Sequence, residues 1–151
     1  MTEQIVTSFN LPATGGKNLS LADFNDRMLV IYFYPKDSTP GCTTEAQQFR
    51  DLHPAFLQAG CAVLGVSRDS IRSHENFKAK QDLPFDLLSD TDEQLCTQFS
   101  VIKDKKLYGK LVRGIERSTF AIDGQGTLKR EWRGVKVPGH AQEVLDFVKS
   151  I

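Results

Sequence analysis

Met28-Leu-Val-Ile-Tyr-Phe-Tyr34-Pro35-Lys-Asp-Ser-Thr39-Pro-Gly-Cys42-Thr-Thr-Glu45 is the stretch on which the fold turns. Its first part is an unbroken apolar run rich in β-branched and aromatic residues, the pattern of a strand covered on both faces. Pro35 stops that strand. Lys36 to Gly41, with two further breakers, Pro40 and Gly41, reads as a loop. Glu45, Ala46 and Gln47 are good helix formers, so Cys42 stands at a helix start.

Working outward, this helix is expected from about Thr43 to Ala59. Its apolar stripe is Phe49, Leu52 and Phe56, Pro54 kinks it and Gly60 ends it. Cys61 to Ser67 is a second buried strand. Asp69 and Ser70 are candidate caps for a helix from Ile71 to about Gln81. Phe85 to Leu88 is a third strand, and Asp90 with Glu93 resembles a capping pair for a short helix through Phe99. This alternation indicates a parallel sheet with covering helices. Upstream, Asn18 to Leu21 reads as a short strand and Leu21 to Phe24 as a helical turn. Downstream, Ser118 to Ile122 and Thr127 to Trp132 bracket the turn Asp123-Gly124-Gln125-Gly126, a hairpin signal. The last helix carries the stripe Ala141, Val144, Leu145, Val148 and Ile151. Residues 103–113, with net formal charge +4, read as a basic, solvated loop. The periodicity alone gives one α/β domain over residues 1–151.

A cysteine at a helix start has a chemical meaning. The free N–H groups and the positive end of the helix dipole favour thiolate over thiol. The strand-loop-helix position also puts it at a sheet edge, where open α/β sheets bind ligands. Local tests narrow the chemistry. Position 45 is Glu, so a C-x-x-C dithiol is absent. Position 48 is Gln, so no arginine closes a phosphatase-type loop. A papain-like context is missing.

Composition excludes other classes. Lys plus Arg equals Asp plus Glu at 19 each, which favours neither nucleic acid nor membrane as partner. The beginning M-T-E-Q-I-V lacks a basic n-region and a long apolar run, and no stretch has the length of a transmembrane helix. Three cysteines in such a chain fit a reducing, cytoplasmic setting. A chain of 151 residues buries roughly 68–70% of its unfolded surface, enough to stand without a disulfide or metal. His53, His74 and His140 have no metal-ligand spacing with the cysteines, and neither cofactor nor metal is expected.

The spacing Pro35-x-x-x-Thr39-x-x-Cys42 resembles the peroxiredoxin active-site pattern. The string Y-F-Y-P-K-D-S-T-P-G-C-T-T-E is similar to the bacterioferritin-comigratory (BCP/PrxQ) branch. The likeness continues through Gly65-Val-Ser-Arg-Asp69, Ser73-His-Glu-Asn-Phe77, Leu88-Ser-Asp90 and Arg117-Ser-Thr-Phe120. It implies a thioredoxin-like fold of peroxiredoxin type, with a central mixed sheet flanked by helices. It implies a thiol-dependent peroxidase acting on hydrogen peroxide and alkyl hydroperoxides. Thioredoxin or glutathione/glutaredoxin would be the reductant, and the chain a monomer or weak dimer. By the same resemblance Cys42 is the peroxidatic nucleophile and the Thr39 hydroxyl hydrogen-bonds thiolate and peroxide. Pro35 shields the sulfur, and Arg117 is the cation that stabilises thiolate and transition state. Glu45 and Arg50 are candidates to pair across the helix start but read rather as a solvated face, and Trp132 and Arg133 as packing and surface.

Many relatives of this branch carry a second, resolving cysteine five residues after the first or on the following helix. Those places hold Gln47 and Lys78. Cys61 lies a helix length away, roughly 24 Å at ~1.5 Å per residue, against a disulfide limit of about 7 Å. Cys96 follows the third strand on the same sheet edge as Cys42 and is geometrically less excluded, although Leu95, Cys96 and Phe99 form a packing stripe. One-cysteine behaviour is the expectation, with Cys96 as the competing partner. A peroxide sensor passing oxidation to a partner protein is the alternative function.

Overall fold

The computed structural model describes residues 4–151. Its elements are β1 (Gln4–Ile5), β2 (Asn10–Ala13), β3 (Lys17–Ser20), a 3-10 turn (Leu21–Phe24), β4 (Met28–Phe33), α1 (Pro40–Gln58), β5 (Cys61–Ser67), α2 (Ile71–Gln81) and β6 (Asp86–Ser89). Then follow α3 (Gln94–Gln98), β7 (Ile102–Leu107), β8 (Lys110–Ile115), β9 (Ser118–Ile122), β10 (Thr127–Arg133) and α4 (His140–Ser150). Eight strands form one mixed sheet in the order β1-β10-β9-β4-β5-β6-β2-β3. β4, β5 and β6 run parallel, and β9 lies antiparallel against β4 with Phe33 opposite Ser118.

β4 is central, so both of its faces are buried, as its unbroken apolar run requires. Leu29, Ile31 and Phe33 point into one core with Phe99, Phe120 and Cys96. Val30, Tyr32 and Tyr34 belong to the other core, with Cys42, Phe49, Phe56 and Phe77. The second core is roofed by α1, α2 and α4, and its firmest contact is the stack of Tyr32 on Phe49, centroids 4.6 Å apart. This stack clamps α1 to the strand from which the loop to Cys42 departs.

Four expectations are corrected. The helix beginning comes three residues before Thr43, at Pro40, because proline at the first helical position has the right φ and lacks a donor that would go unused anyway. Residues 103–113 are not a loop but most of the β7–β8 hairpin. Tyr108 and Gly109 both have positive φ (52° and 80°), the geometry of a two-residue hairpin turn, and the run of lysines hides the strand pattern. Asp90 and Glu93 do not form a capping box. Glu93 precedes α3 at φ 60°, while Asp90 Oδ2 accepts the Cys96 N–H at 2.7 Å. Ile151 is exposed; the stripe of α4 ends at Val148. Strands β1 and β2 lie upstream of Asn18, where the sequence reading names no element.

Other boundaries agree closely. Cys61–Ser67 and Ile71–Gln81 fall where the periodicity puts them, and Ser70 caps α2 by accepting the Ser73 N–H. Gly60 ends α1 at φ 74°.

Removing the Phe49 ring would open a cavity under Tyr32. Phe49→Ala is expected to lower the unfolding free energy by about 3–5 kcal/mol. A denaturant titration that shows a loss below ~1 kcal/mol would mean that the clamp is not where the stability lies.

Candidate active site

The loop after β4 turns through Ser38 at φ 62° and delivers Thr39 as the N-cap of α1. Thr39 makes no side-chain cap bond. Its hydroxyl donates instead to the Lys36 carbonyl at 2.8 Å. Its proton is thereby committed within the loop, and what the oxygen offers beyond that is lone pairs. Pro35 is exposed and marks the end of the strand run. Cys42 lies in the first turn of α1, 2% exposed, within the core that holds Val30, Tyr34, Ala46 and Phe49.

Arg117 reaches this thiol from the neighbouring strand. Its Nη2 donates to Cys42 Sγ at 3.4 Å and its Nη1 to Glu45 Oε1 at 2.6 Å. The structure thus brings together Cys42 and Arg117, two of the residues that the resemblance singles out. Gly41 explains how the guanidinium comes so close, since a Cβ there would lie 3.2 Å from Arg117 Nη2.

Glu45 is the residue that the sequence reading misplaces. It is not on a solvated face and does not pair with Arg50. It is 1% exposed and anchors Arg117, whereas Arg50 bonds Asp51 and the Gln81 carbonyl. The signal was present in its register. Cys42, Glu45, Ala46, Phe49, His53 and Phe56 are the buried positions of α1, and Glu45 falls among them at three and four residues from its neighbours. Burial pushes the Glu45 carboxyl up to about 7, against the opposing pull of Arg117. Its second oxygen, Oε2, is buried and has no hydrogen-bond partner among the described residues.

The other two thiols are apart from this centre. Cys61 pairs with Met28 at the far end of β4, and burial pushes its thiol up to about 12. Cys96 is fully buried in the opposite core, so the sheet stands between it and Cys42. Sharing a sheet edge does not make the two accessible to each other, which corrects the expectation that Cys96 is less excluded. Its thiol is also pushed up, by burial and then by Asp90. All three cysteines are free. His140 bonds Thr119 at 2.7 Å, and His74 lies in a buried network with Asp37. Trp132 packs edge-on against His140 and Phe147.

A buried thiol in the first turn of a helix, crossed by an arginine from the adjacent antiparallel strand, defines a thiol-based redox site on a mixed α/β sheet. Residues 2–131 match the AhpC/TSA family, and the chain belongs to it, within the Bcp (PrxQ) peroxiredoxins. It is 54% identical over 145 residues to peroxiredoxin Bcp of Xanthomonas campestris, covering 95% of this chain and 91% of that protein. It is 47% identical to peroxiredoxin Bcp of Bacillus subtilis, covering 98% and 94%. A solved structure of the Xanthomonas bacterioferritin comigratory protein superposes with a TM-score of 0.90, covering 94% of this chain and 90% of that one. PrxQ of Xylella fastidiosa gives 0.91 at 46% identity, covering 99% and 98%. The fold is thus the thioredoxin-like one of peroxiredoxins, and the chain is an oxidoreductase of the peroxidase class.

The native Glu45 carboxyl holds its proton more tightly than it would in the unfolded chain. Its contribution to stability is therefore fullest below the ordinary carboxylate range and is lost as pH rises through about 7. Glu45→Gln keeps an acceptor for Arg117 and cannot ionise. Denaturant unfolding from about pH 5 to about pH 8 should show wild type losing stability relative to this variant. Parallel pH trends in the two proteins would contradict the assignment.

Proposed function

We propose that the chain reduces hydrogen peroxide and organic hydroperoxides through a Cys42 sulfenic acid, by a one-cysteine mechanism completed by an external thiol. The observation that carries this reading is the Arg117 guanidinium 3.4 Å from Sγ. It supplies a fixed positive charge where negative charge develops as the O–O bond breaks. The thiolate attacks the terminal peroxide oxygen. The S–O bond forms, the O–O bond breaks and the sulfur gives up two electrons. The departing oxygen leaves as water or alcohol once it takes a proton from solution. The Thr39 oxygen, with its own proton spent on Lys36, accepts the hydrogen bond of the bound peroxide. Pro35 borders the loop and limits water. The alkyl peroxide reduction activity ascribed to the Xanthomonas relative supports the organic substrates.

The one-cysteine part rests on what surrounds Cys42. Gln47 is bonded to Gln81 and Lys78 to Asp86, so neither place offers sulfur. Cys61 and Cys96 are buried thiols at the wrong end and on the wrong face of the sheet. Thioredoxin or glutathione with glutaredoxin would return Cys42 to the thiol. The near-complete burial of Cys42 suits a small oxidant, and a protein thiol would need the first turn of α1 to open. We read the chain as a single domain, a monomer or weak dimer, acting in the cytoplasm. Its three free cysteines agree with a reducing compartment.

Treatment with one equivalent of peroxide, followed by a sulfenic-acid trap and peptide mapping, tests this directly. The expected product is trapped Cys42, with turnover by an added thiol abolished in Cys42→Ser and retained in Cys61→Ser and Cys96→Ser. A dominant Cys42–Cys96 crosslink would overturn the one-cysteine reading, and turnover by the Cys42 variant would overturn the function.

A further inference from the structure

Between Pro35 and Gly41, which join β4 to α1, the one buried residue is Asp37. Its side chain turns inward onto α2. Oδ1 accepts the Tyr34 hydroxyl at 2.6 Å. Oδ2 accepts the Ser73 hydroxyl at 2.8 Å and faces His74 Nδ1 at 2.7 Å. The Asp37 backbone N–H is held in turn by Asp69 Oδ2 at 2.9 Å, which also accepts the Ser67 hydroxyl. The loop that delivers Cys42 is thus fastened to α2 through the Asp37 side chain and to the turn before α2 through the Asp37 backbone.

Proton counting shows what this fastening needs. His74 Nε2 lies 2.9 Å from the Leu88 carbonyl, which can only accept, so Nε2 carries a hydrogen. A second proton must then lie between Nδ1 and Oδ2, or two lone pairs would meet at 2.7 Å. Tyr34 supplies its own hydroxyl proton to Oδ1, and burial keeps it protonated by pushing its ionisation well up. The groups that face His74 are therefore Tyr34 from the end of β4, Asp37 from the loop and Asp69 from the turn before α2, with the Leu88 carbonyl from β6. His74 is fully buried, so this proton is shielded from solvent. Asp37, Asp69 and His74 lie within 4.8 Å of one another, a spacing that suits a cation, but the direct 2.7 Å contact leaves no room for one between Nδ1 and Oδ2.

We propose that His74 is a positioning residue for Cys42, and that the proton it shares with Asp37 is the clasp that holds the active-site loop in its reactive geometry. The idea rests on Cys42 as the peroxide-reacting thiol. Loss of the contact between His74 and Asp37 releases the loop, frees Thr39 from its place and lets the first turn of α1 drift from Arg117.

Two variants separate the clasp from simple packing. His74→Leu keeps bulk and deletes both hydrogen bonds. Asp37→Asn keeps the contact without the shared proton, because its amide N–H donates to an unprotonated Nδ1. Single-turnover oxidation of Cys42 by hydrogen peroxide, quenched and read by mass, should be slower in His74→Leu by about tenfold or more, given that ~1 Å of misplacement can cost up to about 10²-fold. Asp37→Asn should stay close to the wild-type rate, since it keeps the contact to His74. Amide exchange at Lys36 to Thr39 should quicken in His74→Leu and not in Asp37→Asn. This arm needs no peroxide: quickened exchange with no oxidation of wild-type Cys42 would support the clasp while overturning the proposed function. Wild-type oxidation and exchange in His74→Leu would overturn the clasp. So would an Asp37→Asn protein as impaired as His74→Leu at every pH.

Discussion

Arg117 joins the helix that carries the sulfur to the strand beside it. Its guanidinium spans from Glu45 at 2.6 Å to Cys42 at 3.4 Å, and both partners project from the first turns of α1. The contact depends on sheet register. Ser118 lies opposite Phe33, so Arg117 falls at the strand end from which the Pro35–Gly41 loop departs. A slip of one residue would turn the side chain to the other face of the sheet, and a slip of two would carry it roughly 6.8 Å along the strand. The two antiparallel hairpin partners, β9 and β10, and the Tyr32–Phe49 clamp therefore matter to chemistry because they fix where one cation stands.

Burial gives that cation its effect and also its cost. The one guanidinium faces both a buried carboxyl and a buried thiol. Burial pushes the Glu45 carboxyl up to about 7, while the Arg117 guanidinium pulls it the other way. The sheet itself segregates the remaining thiols. Cys96 shares an edge with Cys42 but packs into the opposite core, and Cys61 sits at the far end of β4. Among the described residues, Cys42 is the one sulfur that accepts a hydrogen bond from a guanidinium.

The sequence made the strand-loop-helix unit legible because three strong local signals coincide there: an apolar run, paired breakers and helix formers. The same is true of β5 and α2. It also made Cys42 and Arg117 legible through the resemblance of their surrounding strings. What it hid has physical causes. Glu45 is a charged residue whose burial depends on a partner 72 positions away, and no local rule reveals that partner. The β7–β8 hairpin has lysines where strand patterning looks for apolar residues, because, among the described residues, only its base, Ile102 and Ile115, packs on the core. The face on which Cys96 lies follows from whether α3 packs above or below the sheet, a choice made by tertiary contacts. Asp37 and His74 read as a loop acid and a scattered histidine until the fold brings them to 2.7 Å.

The most direct measurement is the rate constant for oxidation of Cys42 by hydrogen peroxide in Arg117→Ala, followed by rapid mixing under single-turnover conditions. Glu45→Gln serves as a companion that keeps the guanidinium in place. The account predicts that loss of Arg117 slows the step by about 10²–10³-fold, the range for removing one preorganised donor from developing charge, while the Gln variant keeps most of its rate. An Arg117→Ala protein that folds and oxidises Cys42 at the wild-type rate would contradict it.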